Sequence, residues 1–158
     1  MTSSSPDRQP AAYARMLGAA TIFARFALGT AFLSAVADRF GLWGPPGAPH
    51  VAWGRFDVFL AYTGRITPFA PPALTPALAW TATLFEVVFG LALLLGIATR
   101  AAAAGSAVLL AAFALGMTSG TGVKTAFDAS VFSASSAALL LACAPSYPAT
   151  LDRWRRKS

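Results

Sequence analysis

Residues 76–100 read PALAWTATLFEVVFGLALLLGIATR. Between Ala77 and Ala98 the single charge is Glu86, and an apolar helix of about 20 residues is what crosses a hydrocarbon layer of roughly 30 Å. Thr75-Pro76 supplies a helix cap and a first-turn proline, and Arg100 closes the run. A helix in the core of a soluble bundle would repeat a polar face every three to four residues, and this run has none. Three further stretches match it: about 16–37 interrupted by Arg25, 101–118 without any charge, and 126–144 with Asp128 near its start and Pro145 and Pro148 at its end. Proline cannot continue a helix, so the fourth stretch stops there.

The composition agrees. The chain has 158 residues, 56% of them hydrophobic and 11% charged, with a mean hydropathy of +0.61. Soluble domains carry about 25% charged residues, and a domain of this size has too little interior to hide so much apolar side chain. The expected fold class is therefore all-α, an integral membrane four-helix bundle. Residues 15–145 form its single transmembrane domain, with spans at about 16–37, 77–98, 101–118 and 126–144. Residues 1–14 are read as a mobile cytoplasmic tail and 146–158 as a basic cytoplasmic tail. Ala35-Val36-Ala37 resembles a signal-cleavage site, but the run before it is longer than a signal core and contains Arg25. It is read as a retained helix.

The outer loop, 38–75, begins with turn-rich Gly41-Leu42-Trp43-Gly44-Pro45-Pro46-Gly47. Phe56, Phe59 and Leu60 then share one helical face. Two arrangements fit: a short helix lying in the membrane interface, with Trp43, Trp53, Tyr62 and Trp80 as an aromatic belt, or a cap packed over the bundle.

Basic residues set the orientation. Arg8, Arg15, Arg100, Arg153, Arg155, Arg156 and Lys157 fall on one side, and Arg39, Arg55, Arg65 and Lys124 on the other. Both termini are thus expected in the cytoplasm of a bacterial-type inner membrane. The net charge of +6 reads as lipid anchoring by Arg153–Lys157 rather than nucleic-acid binding, for which no basic soluble surface exists. One cysteine, Cys143, and one histidine, His50, exclude an internal disulfide, a CxxC redox pair, a zinc or iron–sulfur site and a bis-histidine haem. The chain is expected to hold no cofactor with its own ligands.

An ionisable residue at a helix centre costs about 2.5–3.5 kcal/mol on insertion scales and demands an explanation. Arg25 lies fourteen positions before Arg39 and Glu86 fourteen before Arg100, roughly 21 Å of helix in each case. Asp128 falls in the outer half of the fourth span. Arg25, Glu86 and Asp128 therefore come to overlapping depths, and a long arginine is expected to partner Glu86. These three are the catalytic candidates. Asp38, Arg39, Trp53 and Tyr62 are the substrate-binding candidates at the outer end, and no metal ligands are present. On the first helix, Arg25, Gly29, Phe32, Val36 and Arg39 share a face that would line the interior, whereas Asp38 points the other way.

Bland readings compete with these. Arg25–Glu86 can be a structural pair, Asp128 an acid complementing a helix dipole in a first turn, and Arg39, Arg100 and Lys124 snorkelling anchors. Cys143 reads as a small buried apolar residue. Gly116-x-x-x-Gly120 and Ser133–Ala138 allow close packing of the third and fourth spans, and self-association through Gly116 and Gly120 is the alternative use. Arg25-x-x-x-Gly29 reaching Arg39 has the spacing of Glu86-x-x-x-Gly90 reaching Arg100 in a span of opposite direction, as in an inverted repeat, although three matching positions also arise by coincidence.

With those residues in view, the chain resembles the DoxX family of membrane proteins. Arg25-x-x-x-Gly29 with Asp38-Arg39 and Trp43-Gly44 is similar to the family's first-helix signature. Glu86-x-x-x-Gly90 with Leu94-Leu95-Gly96-x-x-Thr99-Arg100 resembles the second, and Lys124 with Asp128-x-Ser130 the start of the fourth. Val51–Gly54 and Ala61–Thr63 resemble one subgroup, so the likeness covers about residues 20–143. Where the family often has glycine and lysine at the end of helix one, this chain has Val36 and Arg39. The resemblance implies a four-helix inner-membrane protein. It also implies a role as a small subunit of a redox system, linked to quinone or thiol electron transfer and working with redox partner proteins. An oxidoreductase subunit of this kind would need a quinone or a partner, because the chain has no redox centre. The alternatives are a non-catalytic assembly or anchoring protein, and a small transporter, whose polar path the charge-free third span would keep narrow.

Overall fold

The computed structural model describes residues 11–151, and among them every regular element is helical. Helix α1 spans Ala11–Arg39, α2 Phe56–Ile66, α3 Thr75–Leu95, α4 Thr99–Thr121, α5 Val123–Asp128 and α6 Val131–Ala142; a single 3₁₀ turn, Pro72–Leu74, leads into α3. Three of these, α1, α4 and α3 together with that turn, are long and apolar enough to cross a membrane, and α6 is a shorter apolar helix. Large side chains such as Phe23, Leu84, Val108 and Leu140 face outward, as they do where lipid replaces water. The molecule is an all-helical membrane bundle.

The helix ends follow from local chemistry. Gly96 ends α3 in the left-handed conformation, φ +69°, and the Ile97 amide donates back to the Ala92 carbonyl at 2.9 Å. This is the six-to-one bond of a glycine-terminated helix. It leaves only residues 96–98 to turn the chain into α4.

The fourth span departs from the expected single helix over 126–144. It breaks at Ser130, whose φ is +56°, after the amides of Ala129 and Ser130 have closed α5 on Thr125 and Phe127. Asp and Ser compete for backbone hydrogen bonds and are poor interior helix formers, and Asp128-Ala129-Ser130 places both within three residues. What remains, α6, has 12 residues, about 18 Å of helix. Alanines compensate. Ala103 and Ala107 of α4 and Ala138 and Ala142 of α6 are buried in one core with Leu28, Phe32, Leu93 and Leu110. The Ser135 hydroxyl donates across this contact to the Ala107 carbonyl at 2.8 Å.

Helix α1 meets α3 through two glycines. A Cβ on Gly29 would lie 2.9 Å from the Gly90 carbonyl oxygen, and one on Gly90 would lie 3.2 Å from that of Gly29. The antiparallel pair therefore crosses with backbones in contact, as small residues permit in membranes. Gly116 and Gly120 are used differently from the sequence expectation. They receive the end of α2, at Arg65 and Ile66, rather than α6. Helix α2 packs on α3 and α4 with Phe59, Thr63 and Ile66 buried, so it is a cap over the bundle at what we term its loop end. Segment 143–151 folds back at the opposite, terminal end.

Candidate functional site

Arg39 is the last residue of α1 and is 3% exposed. Its guanidinium donates to both oxygens of Glu86: Nη2 to Oε1 at 2.8 Å, and Nη1 to Oε2. Nη1 also reaches the Thr83 hydroxyl at 2.9 Å, which itself donates to the Ala79 carbonyl at 2.8 Å. Thr83 and Glu86 are three positions apart, one helical turn, and so present a single polar patch to α1. Over one face of the guanidinium lies the Phe59 ring, its centroid 3.6 Å from Cζ. A cation at that distance is attracted by the ring quadrupole. Removing either partner of such a buried pair typically costs about 3–5 kcal/mol, because the other charge is then stranded.

Asp38, one residue earlier, is also buried, but it turns to the loop instead. Its Oδ2 accepts the amides of Ala52 at 3.0 Å and Trp53 at 2.9 Å. Its Oδ1 and the Nε of Arg39 have no hydrogen-bond partner among the described residues. A buried polar atom left unsatisfied costs about 1–3 kcal/mol, so each is an available acceptor or donor. Around them stands an aromatic cluster. Trp53 packs against Phe59 and Tyr62 with centroids at 5.4 and 4.8 Å, and Phe56 stacks on Trp80 at 4.3 Å. Burial pushes the Tyr62 phenol above its usual range, so it stays protonated and able to donate.

The expected partnership of Arg25 with Glu86 is overturned. Arg25 lies four residues before Gly29 on α1, and Glu86 four before Gly90 on α3. Because the helices run in opposite directions from their shared crossing, those four-residue steps lead to opposite ends, roughly 12 Å apart along the axis. Arg25, 1% exposed, instead donates to four carbonyls. Nε reaches Leu93 at 2.9 Å, Nη2 reaches Leu94 at 3.2 Å, and Nη1 reaches Pro148 and Ala149 at 3.0 Å each. It ties the last turn of α3, where the helix dipole is negative, to the C-terminal segment.

Asp128 does not join the buried charges either. It is exposed at the end of α5, where an acid meets the unfavourable end of the dipole, and Lys124 contacts it at 2.5 Å. Lys124 is thus an ion-pair partner on the surface. Arg39, read as a snorkelling anchor, is the buried cation itself. Cys143, read as buried, is exposed. Of the interior stripe expected on α1, Arg25, Gly29, Phe32 and Arg39 are buried. The structure brings Asp38, Arg39, Trp53, Tyr62 and Glu86 to one end of the bundle and leaves Arg25 and Asp128 elsewhere.

Two members of the cluster escaped sequence reasoning. Thr83 was signalled only by its spacing to Glu86, and Phe59 only by its place on the apolar face of α2. Neither signal singles out a polar site before α2 is known to pack over α1 and α3.

Comparison with known proteins agrees with this frame. No curated protein and no solved structure matches the chain. The DoxX family model matches residues 20–119, a stretch that contains both glycines of the α1–α3 crossing, Arg25, and the whole Asp38–Arg39–Thr83–Glu86 cluster. With well over half of its length in that match, the chain belongs to the DoxX family.

Proposed function

We propose that this protein is a small membrane subunit of a redox system, and that its loop-end cluster engages the polar head of a lipid-soluble quinone-type molecule. The observation that carries this reading is that consecutive buried residues at the end of α1 leave a spare acceptor, Asp38 Oδ1, and a spare donor, Arg39 Nε, at the end of the bundle where Trp53, Phe59 and Tyr62 cluster. A quinone head is flat, and its oxygens accept hydrogen bonds of the kind Arg39 Nε would give, while a hydroxyl of the reduced, quinol form would donate to Asp38 Oδ1. When bound, such a molecule would supply the two-electron, two-proton chemistry that the chain itself lacks. Arg39 would donate to a ring oxygen and stabilise negative charge on it. Glu86 would exchange protons with the bound head. Phe59, Trp53 and Tyr62 would exclude water.

The charge distribution supports cytoplasmic termini in a bacterial-type inner membrane. At the loop end, Arg39, Arg55, Arg65 and Lys124 are balanced by Asp38, Asp57, Glu86 and Asp128, so the net +6 falls to Arg15, Arg25, Arg100 and the flanking segments 1–10 and 152–158. Redox partner proteins would dock on one of these ends, and reporter fusions at the C-terminus and in loop 41–54 would read the orientation.

The test is extraction in mild detergent followed by lipid analysis and native mass spectrometry. Retained quinone that is lost on Arg39→Gln or Asp38→Asn supports the proposal. Absence of both retained quinone and quinone-dependent activity, alone or with co-purifying partners, overturns it. A second reading, a non-catalytic assembly protein, is favoured by one observation: the charges of Arg39 and Glu86 satisfy each other within the protein. It requires that Glu86→Gln lower stability while leaving pathway activity per folded molecule unchanged.

A further inference from the structure

Asp38 adjoins Arg39 yet takes no part in its ion pair. Its Oδ2 accepts two loop amides, Ala52 and Trp53, while Oδ1 is buried without a partner among the described residues. From that carboxylate a continuous line of contact leads to the pair. Trp53 lies on Phe59 at 5.4 Å, and Phe59 lies on the Arg39 guanidinium at 3.6 Å. The loop that carries Trp53 is closed at its base. Gly41 and Gly54 both have left-handed backbone, φ +77° and +67°, and a Cβ on Gly41 would sit 3.0 Å from the Gly54 carbonyl oxygen. Residues 41–54 thus form a compact loop whose two ends touch. Its own bonds, Gly44 to Gly41, Ala48 to Pro45 and Val51 to Ala48, hold it as a body, and besides Asp38 it meets α1 through the Leu42 amide on the Ala37 carbonyl and the Trp43 indole N–H on the Ser34 carbonyl.

We propose that loop 41–54 is a lid over the Arg39–Glu86 pair, hinged at Gly41 and Gly54, and that Asp38 is the positioning residue that latches it. The proposal rests on the reading of that pair as the working site. Its physical basis is a balance. Closure gives Asp38 two charge-assisted hydrogen bonds but strips water from Oδ1, whereas opening breaks the bonds and rehydrates the whole carboxylate. Opposed terms of this kind make a latch that releases. As it releases, Trp53 leaves Phe59, Phe59 is no longer pressed onto the guanidinium, and the ion pair becomes accessible from the water on the loop side. Low local stability is where gating segments are drawn from.

Thiol accessibility in the full chain, carrying Cys143→Ala to remove the native thiol, tests this. Thr83→Cys reports on the pair, and Ser106→Cys, at a fully buried position in α4, reports on the bundle core. Asp38→Asn should speed modification of Thr83→Cys by a small water-soluble reagent about tenfold or more, the equivalent of one lost charge-assisted hydrogen bond. Ser106→Cys should stay protected, and Asp38→Glu should restore protection at Thr83→Cys. No change at Thr83→Cys, or an equal rise at both positions, overturns the latch. Acrylamide quenching of Trp53, with Trp43, Trp80 and Trp154 replaced by Phe, should rise in Asp38→Asn if the lid opens, and an unchanged quench overturns it without relying on the Thr83 variant. Neither readout needs a ligand, so a failed latch is distinct from a failed quinone assignment.

Discussion

The two ends of the α1–α3 pair solve the same problem in different ways. At the loop end, Arg39 meets a carboxylate, a hydroxyl and an aromatic ring. At the terminal end, Arg25 meets four backbone carbonyls among the described residues. Arginine presents five N–H donors in a rigid fork, so one guanidinium can grip a carboxylate and a hydroxyl at one end of a bundle and several backbone carbonyls at the other. The difference lies in what is left over. Carbonyls at a helix end need a donor in any case, and Arg25 supplies it while fastening segment 143–151. The loop end ends with a donor and an acceptor unspent, within a cluster against which Trp53 of the loop packs. One end reads as a fastening and the other as a site.

The largest expected effect breaks the loop end. Arg39→Ala or Glu86→Ala should destabilise by about 3–5 kcal/mol, read as a fall in the thermal midpoint in mild detergent. Arg39→Met combined with Glu86→Leu should recover most of that loss while abolishing any ligand retention. At the terminal end, Arg25→Lys keeps the charge but loses the fork and should cost about 2–3 kcal/mol. It should also expose segment 143–151 to protease, a readout that the loop-end variants leave unmoved. Between the two ends, Gly29→Ala should cost about 1–3 kcal/mol, because its Cβ would meet both the Leu94 side chain, at 2.8 Å, and the Gly90 carbonyl oxygen of the α3 backbone, at 2.9 Å. The smallest effect belongs to the exposed Arg55–Asp57 pair at the start of α2. The Arg55 side chain holds the Asp57 carboxyl below its usual range, so any stability it contributes is present at neutral pH and is lost as pH falls through that lowered value. Both groups are fully exposed, and Asp57→Asn should leave the unfolding midpoint at pH 7 unchanged within error.

The membrane bundle was legible because length and hydropathy over 20-residue windows need no tertiary information. Most of the interior stripe of α1 was legible for the same reason: periodicity places Arg25, Gly29, Phe32, Val36 and Arg39 on one face, and all but the half-buried Val36 are buried. The pairing was not. Depth estimates brought Arg25 and Glu86 to similar levels, but which arginine reaches a carboxylate depends on where two antiparallel helices cross. That point is set by Gly29 against Gly90. The spacing shared by Arg25–Gly29–Arg39 and Glu86–Gly90–Arg100 did carry a hint, because it makes the two glycines the centre of the pair and sends Arg25 and Glu86 to opposite sides of it. The break at Ser130 was hidden by hydropathy, which averages over a single left-handed residue. Thr83 and Phe59 became visible only once α2 packed over the loop end.

Double-mutant cycles on the two arginines against Glu86 discriminate most sharply, with Gln replacing each residue in turn and unfolding free energies measured in one detergent. Arg39 and Glu86 should be coupled by at least about 1–3 kcal/mol, and Arg25 and Glu86 by no more than about 0.5 kcal/mol, the scatter of independent sites. Strong coupling of Glu86 to Arg25, with none to Arg39, would contradict the arrangement described.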